Sequence, residues 1–130
     1  MKSVSPTGKW FDYIQGEDIN EDVDPNYVHR TYEIELFCRV SKTRGGNREQ
    51  TEEDIRGVPR VTIVRPHPDP RRRLERSTDD YFFINYLVKY QLNTNISANW
   101  YIKNRLLPGL SKVKGLTLIR YSRPIEQGVR

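Results

Sequence analysis

The sequence predicts an α+β domain in which a small antiparallel sheet carries two helices. Three observations lead there. Two runs, YEIELFCRVS at residues 32–41 and YFFINYLVKYQL at 81–92, have the alternation and the aromatic and β-branched content of strands. A third run places Ala98, Ile102, Leu106, Leu110 and Val113 at helical spacing. Finally, IRGVPRVTIVR at 55–65 is nearly rewritten as LSKVKGLTLIR at 110–120, so the chain holds two copies of one helix-to-strand joint.

Taken in order, residues 1–30 show neither helical nor strand periodicity and are punctuated by Pro6, Gly8, Gly16 and Pro25. They read as an extended arm. Within it, KWFDYI concentrates Trp10, Phe11, Tyr13 and Ile14, too apolar for a plain linker and suited to burial against a partner. The first strand alternates Ile34, Leu36, Cys38 and Val40 with Glu33, Glu35, Phe37 and Arg39. Gly45 and Gly46 then make a turn.

A short helix is expected from about Arg48 to Gly57, capped by Asn47 with Gln50 or by Thr51 with Asp54. VTIV forms a strand after Pro59. The segment 65–80 holds Pro66, Pro68 and Pro70, then Arg71, Arg72, Arg73 and Arg76. No regular element should run through those prolines, so a long, extended and mobile connection is expected. In the next strand Phe82, Ile84, Tyr86, Val88, Tyr90 and Leu92 share one face, and Tyr81, Phe83, Asn85, Leu87 and Lys89 the other. Ser97 caps the main helix, Pro108 kinks or divides it after Leu107, and Gly115 ends it. LTLIRYS is the last strand, and 125–130 a loose tail.

The order is thus strand, helix, strand, strand, helix, strand, one βαβ unit in each half. Two such units pair as a four-stranded antiparallel sheet with both helices on one face, the ferredoxin-like βαββαβ fold, expected here over residues 31–124. Its buried face would carry Ile34, Leu36, Cys38, Val40, Val61, Ile63, Ile84, Tyr86, Val88, Leu116 and Leu118. The helix-turn-V-T-[IL]-[VI] joint is similar to that of several ferredoxin-like families. Among them are ACT domains, which sense small molecules between paired domains, and the exchange domain of an elongation-factor subunit.

Composition narrows the function. A chain of 130 residues is one domain in size, and no stretch reaches the ~20 apolar residues that span a bilayer. The start lacks the apolar run of a secretory signal, which points to the cytoplasm, or to a virus particle assembled there. Cys38 has no cysteine partner and is expected to be a small buried hydrophobe. Charge is divided: residues 1–30 hold three bases and six acids, leaving 19 bases and 11 acids, a net +8, in residues 31–130. An acidic arm precedes a basic body.

Candidate sites follow from the fold. The sheet face without helices would expose Phe37, Phe83, Leu87, Ile119 and Tyr121, an apolar surface that calls for a cover. Stacked bases are one option. DDYFFINY resembles the third-strand motif of RNA recognition motifs in offering Tyr81 and Phe83 at alternate positions, which implies single-stranded nucleic-acid binding. Asp79 and Asp80 depart from that motif, standing where it has a base and a glycine. The basic loop Arg71, Arg72, Arg73 and Arg76 suits phosphates or a neighbouring subunit.

Catalysis has little to work with. His29 and His67 are far apart in the chain, HPD at 67–69 supplies at most two metal ligands, and RGGN lacks the lysine of a phosphate loop. Glu33 and Glu35 are expected to pair with Arg39 or neighbouring bases. No cofactor and no metal are expected. The reading is a non-catalytic assembly subunit, as in a virion, that joins copies of itself or other subunits through arm, loop and open face. Nucleic-acid binding is the alternative, and small-molecule sensing a weaker one.

Overall fold

In a computed structural model, residues 29–127 form a mixed α+β domain built on an open antiparallel sheet. The elements are β1 (His29–Ser41), α1 (Arg48–Arg56), β2 (Val61–Pro66), α2 (Pro70–Arg73), β3 (Arg76–Ser77) and β4 (Tyr81–Asn93). There follow α3 (Ala98–Tyr101), a π segment (Ile102–Leu106), α4 (Leu107–Leu110), β5 (Leu116–Tyr121) and β6 (Ile125–Glu126). The longer strands lie in the order β2-β4-β1-β5, each antiparallel to its neighbour.

The sheet has six strands, not the four expected. The additional two come from the expected loop and tail: β3 pairs Arg76 with Phe83 and Ser77 with Phe82, while β6 pairs Glu126 with Tyr32 and Ile125 with Glu33. A strand of two residues carries no periodicity, so neither left a signature.

The strand alternation is realised in the centre of the sheet. Ile34, Leu36, Cys38 and Val40 of β1, with Ile84, Tyr86, Val88, Tyr90 and Leu92 of β4, are fully buried. They share one core with Ile55 and Val58 at the end of α1 and with Tyr101, Ile102, Leu106, Leu110 and Val113 of the second helical run. Both runs therefore cover the same sheet face. Burial pushes the Cys38 thiol up to about 12, so the side chain behaves as a hydrophobe.

Local chemistry sets the helix ends. Asn47 Oδ1 accepts from the Gln50 amide at 2.8 Å and Ser97 Oγ from the Trp100 amide at 3.2 Å. Pro108 has no amide to give the preceding turn, and the helix widens ahead of it: the Leu107 amide donates to Ile102, five residues back. The expected kink is taken up as this π turn. Gly46 is required because a Cβ there would lie 2.6 Å from both the Ser41 carbonyl oxygen and Val40 Cγ1.

Bulges correct the expected faces. In β2, Val61 opposes Tyr90 and Ile63 opposes Lys89, so Thr62 is an extra residue. Val64 is consequently buried, and Ile63, expected in the core, is 43% exposed. In β5, Cys38 opposes Leu118 and Phe37 opposes Arg120, making Ile119 the extra residue.

Candidate docking face

The sheet face opposite the helices is built from Glu35, Phe37 and Arg39 on β1, Tyr81, Phe83, Asn85 and Leu87 on β4, and Arg120 on β5. Its aromatic rings form a short row, with Phe37 6.5 Å and Tyr81 6.3 Å from Phe83 between centroids. Each ring carries an arginine. Arg120 Cζ lies 4.5 Å from the centroid of Phe37, Arg76 Cζ 4.4 Å from Phe83, and Arg39 Cζ 4.5 Å from Tyr81. Such contacts contribute roughly 0.5–1 kcal/mol each at exposed sites. They turn an apolar face into a cationic one.

The connection 65–80, expected to be extended and mobile, folds onto this face instead. Pro70 stands at the start of α2, where a missing amide costs nothing, and Asp69 Oδ1 caps the turn by accepting from the Arg71 amide at 3.0 Å. Leu74 takes a left-handed φ of 54°, which ends α2 and directs the chain toward β3. The His67 amide donates to the Asn85 carbonyl at 2.9 Å, and Asn85 Nδ2 donates to the Arg72 carbonyl at 2.8 Å.

At the centre of these contacts is Glu35. Both its carboxylate oxygens accept from the Arg72 guanidinium at 2.8 Å, Asn85 Nδ2 donates at 3.0 Å, and His67 Nε2 lies 3.5 Å away. Partial burial raises its pKa, but the hydrogen bonds from Arg72 and Asn85 and the charges of Arg72 and His67 together hold the carboxyl below its ordinary range. Of the partners expected for Glu35, Arg39 or neighbouring bases, it is bases of the loop that pair with it.

Between the loop and β5 runs a cleft of about 300 Å³. The sheet supplies Glu35, Phe37 and Asn85, the loop Arg71, Arg72 and Leu74, and the β5 end Arg120, Tyr121 and Ser122. Three arginines thus face one carboxylate, which is already paired. Neither Arg71 nor Arg120 has an ion-pair partner among the described residues. Asn85 is buried, and its Oδ1 accepts no hydrogen bond from the described residues.

The expected site residues are distributed as follows. Phe37 and Phe83 lie on the face, each beneath an arginine. Leu87 is only 7% exposed and is not part of an accessible surface, a correction to the expected face: it sits on the central strand β4 between Glu35 of β1 and Arg65 of β2. Ile119 and Tyr121 are exposed on β5. Of the loop arginines, Arg72 is held by Glu35, Arg73 by Glu75 at 3.5 Å, and Arg76 by Phe83, which leaves Arg71 available. Trp10, Phe11, Tyr13 and Ile14 lie outside the described residues, as does the end of the tail at 128–130.

Sequence reasoning missed Arg120, because the β5 bulge puts it on the face, and missed Asn85 and Ser122 as cleft residues. Among the described residues no group of three or more His, Cys, Asp or Glu side chains gathers as metal ligands. No described helix is long and apolar enough to cross a membrane. No family model, curated protein or solved structure matches the chain.

Proposed function

We propose that this chain is a non-catalytic assembly subunit whose N-terminal arm joins it to neighbouring copies, as in a large particle such as a virion. The domain serves as a rigid block, and its strand order with two helical crossovers favours reading it as ferredoxin-like with two short strands added. One observation carries the proposal. Arginines cover the aromatic row of the open face, and Arg71 and Arg120 beside it have no carboxylate partner among the described residues. The arm has six acids to complement this face, and its apolar group Trp10, Phe11, Tyr13 and Ile14 calls for burial against a neighbouring copy. Light scattering of the full chain tests it. The wild type should form a defined oligomer, and the fourfold change Trp10→Ala, Phe11→Ala, Tyr13→Ala, Ile14→Ala should return it to monomer. A wild-type monomer at high concentration would sink the proposal.

A second reading, binding of single-stranded nucleic acid, is favoured by the placement of Phe37 and Phe83 on the two adjacent central strands. It requires retention on single-stranded DNA or RNA at low salt, steep loss with added salt, and weakening by Phe83→Ala. A chain that passes through such a column at low salt excludes it.

A further inference from the structure

We propose that the acidic half of the arm, residues 17–24, docks in the chain's own arginine cleft, leaving the aromatic residues before it to reach a neighbour. The inference rests on the assembly reading and divides its arm into an internal anchor and an external hook.

Charge complementarity supports the occupant. The cleft presents Arg71, Arg72 and Arg120 against Glu35 alone, while Glu17, Asp18, Glu21, Asp22 and Asp24 fall within eight residues of the arm. Arg71 and Arg120 lack ion-pair partners among the described residues, so binding a carboxylate there breaks no such pair. The cleft also holds a buried acceptor, Asn85 Oδ1, with no donor among the described residues. An extended peptide brings backbone N–H groups of the kind this oxygen lacks; a bare phosphate or carboxylate brings none.

The length of the chain supports docking within one molecule. Glu35 and Phe37 lie six and eight residues along β1 from His29. That distance is about 20–26 Å at ~3.3 Å per residue. With residues 25–28 used for the reversal, residues 17–24 running back along the strand cover it when extended. The acids then arrive at the cleft, and a segment tethered this closely is presented at an effective concentration on the order of millimolar.

Fluorescence anisotropy with a labelled peptide of residues 15–28 tests the inference on full-length chains. The receptor is the chain with its own arm neutralised by Glu17→Gln, Asp18→Asn, Glu21→Gln, Asp22→Asn and Asp24→Asn. It should bind the peptide at least about tenfold more tightly than the wild type, whose cleft is occupied, and adding salt should weaken binding. Arg71→Glu in the neutralised chain should lower affinity at least about tenfold. Arg71 makes no side-chain contact that the fold needs, and Arg120→Glu provides a second reading. Three results overturn the inference: no binding to the neutralised chain, equal binding to wild-type and neutralised chains, or displacement by a short oligothymidylate that binds more tightly than the peptide. If any of these occurs while the aromatic substitutions still abolish oligomers, the assembly reading stands and only the anchor falls.

Discussion

Arg72 reaches from α2 to Glu35 on β1, 37 residues away in sequence, and both carboxylate oxygens accept from it at 2.8 Å. This contact pins the proline-rich connection across the sheet. Asn85 reinforces it from β4 by bonding to both the carboxylate and the Arg72 carbonyl.

Glu35 should therefore make docking of this loop dependent on pH. Its folded-state pKa is held below the ordinary 4.5, so its stabilising contribution is complete above that value. The contribution is lost as pH falls through the lower folded-state pKa. The protection factors of the amides of His67, Arg72 and Arg73, rates taken relative to intrinsic exchange at each pH, should fall as the wild type is acidified below the ordinary carboxylate range, more than those of β4 amides. Glu35→Gln should show the lowered protection already at neutral pH. Unchanged loop protection in that variant would show that the pairing does not hold the loop.

The bulge at Thr62 gives two adjacent aliphatic residues opposite fates. Val64→Ala should cost about 1–3 kcal/mol in denaturant unfolding because the side chain is buried. Ile63→Ala, although it removes more atoms, should cost less than about 1 kcal/mol. The reverse ranking would mean that β2 lies one residue out of the register described.

Two core hydroxyls offer a third test. Tyr86 and Tyr90 are fully buried, and neither Oη has a hydrogen-bond partner among the described residues. Burial raises both hydroxyls well above the ordinary tyrosine range. Tyr86→Phe and Tyr90→Phe should be neutral or stabilise by up to about 1 kcal/mol, because each removes an unsatisfied polar group and keeps the ring. Tyr90 keeps its stack on Tyr101, 4.5 Å between centroids. Tyr101→Phe should instead destabilise by about 1 kcal/mol, since its hydroxyl donates to the Pro59 carbonyl. Thermal unfolding of the three variants ranks them directly.

The contrast between Ile63 and Val64 also shows which level of structure the sequence encodes openly. The alternation in residues 32–41 and 81–92 reports burial on a pleated surface, and β1 follows it, while β4 is buried on both faces from Ile84 to Val88. Asn47 and Ser97 act through hydrogen bonds a few residues long, so their roles were legible from local spacing. The doubled joint encodes how a helix end hands over to a strand. Its two strands, however, meet different neighbours, and each resolves the mismatch with a bulge at a different position. That choice sends Ile63 outward and Arg120 onto Phe37, and no local pattern announces it. The folding of the Pro/Arg loop was hidden for a related reason. It rests on Glu35, Arg72 and Asn85 meeting from three elements, a coincidence of tertiary structure.

The π turn ahead of Pro108 has a geometric consequence for the length of its helix. A turn closed five residues back is equivalent to an α-helix into which one residue has been inserted, with the flanks keeping the faces they had before. Tyr101 on one side and Leu110 on the other are both buried against the same core. Their packing would therefore be served by a chain one residue shorter. Lys103 and Asn104, exposed on the widened turn, mark where that surplus residue is carried at the surface.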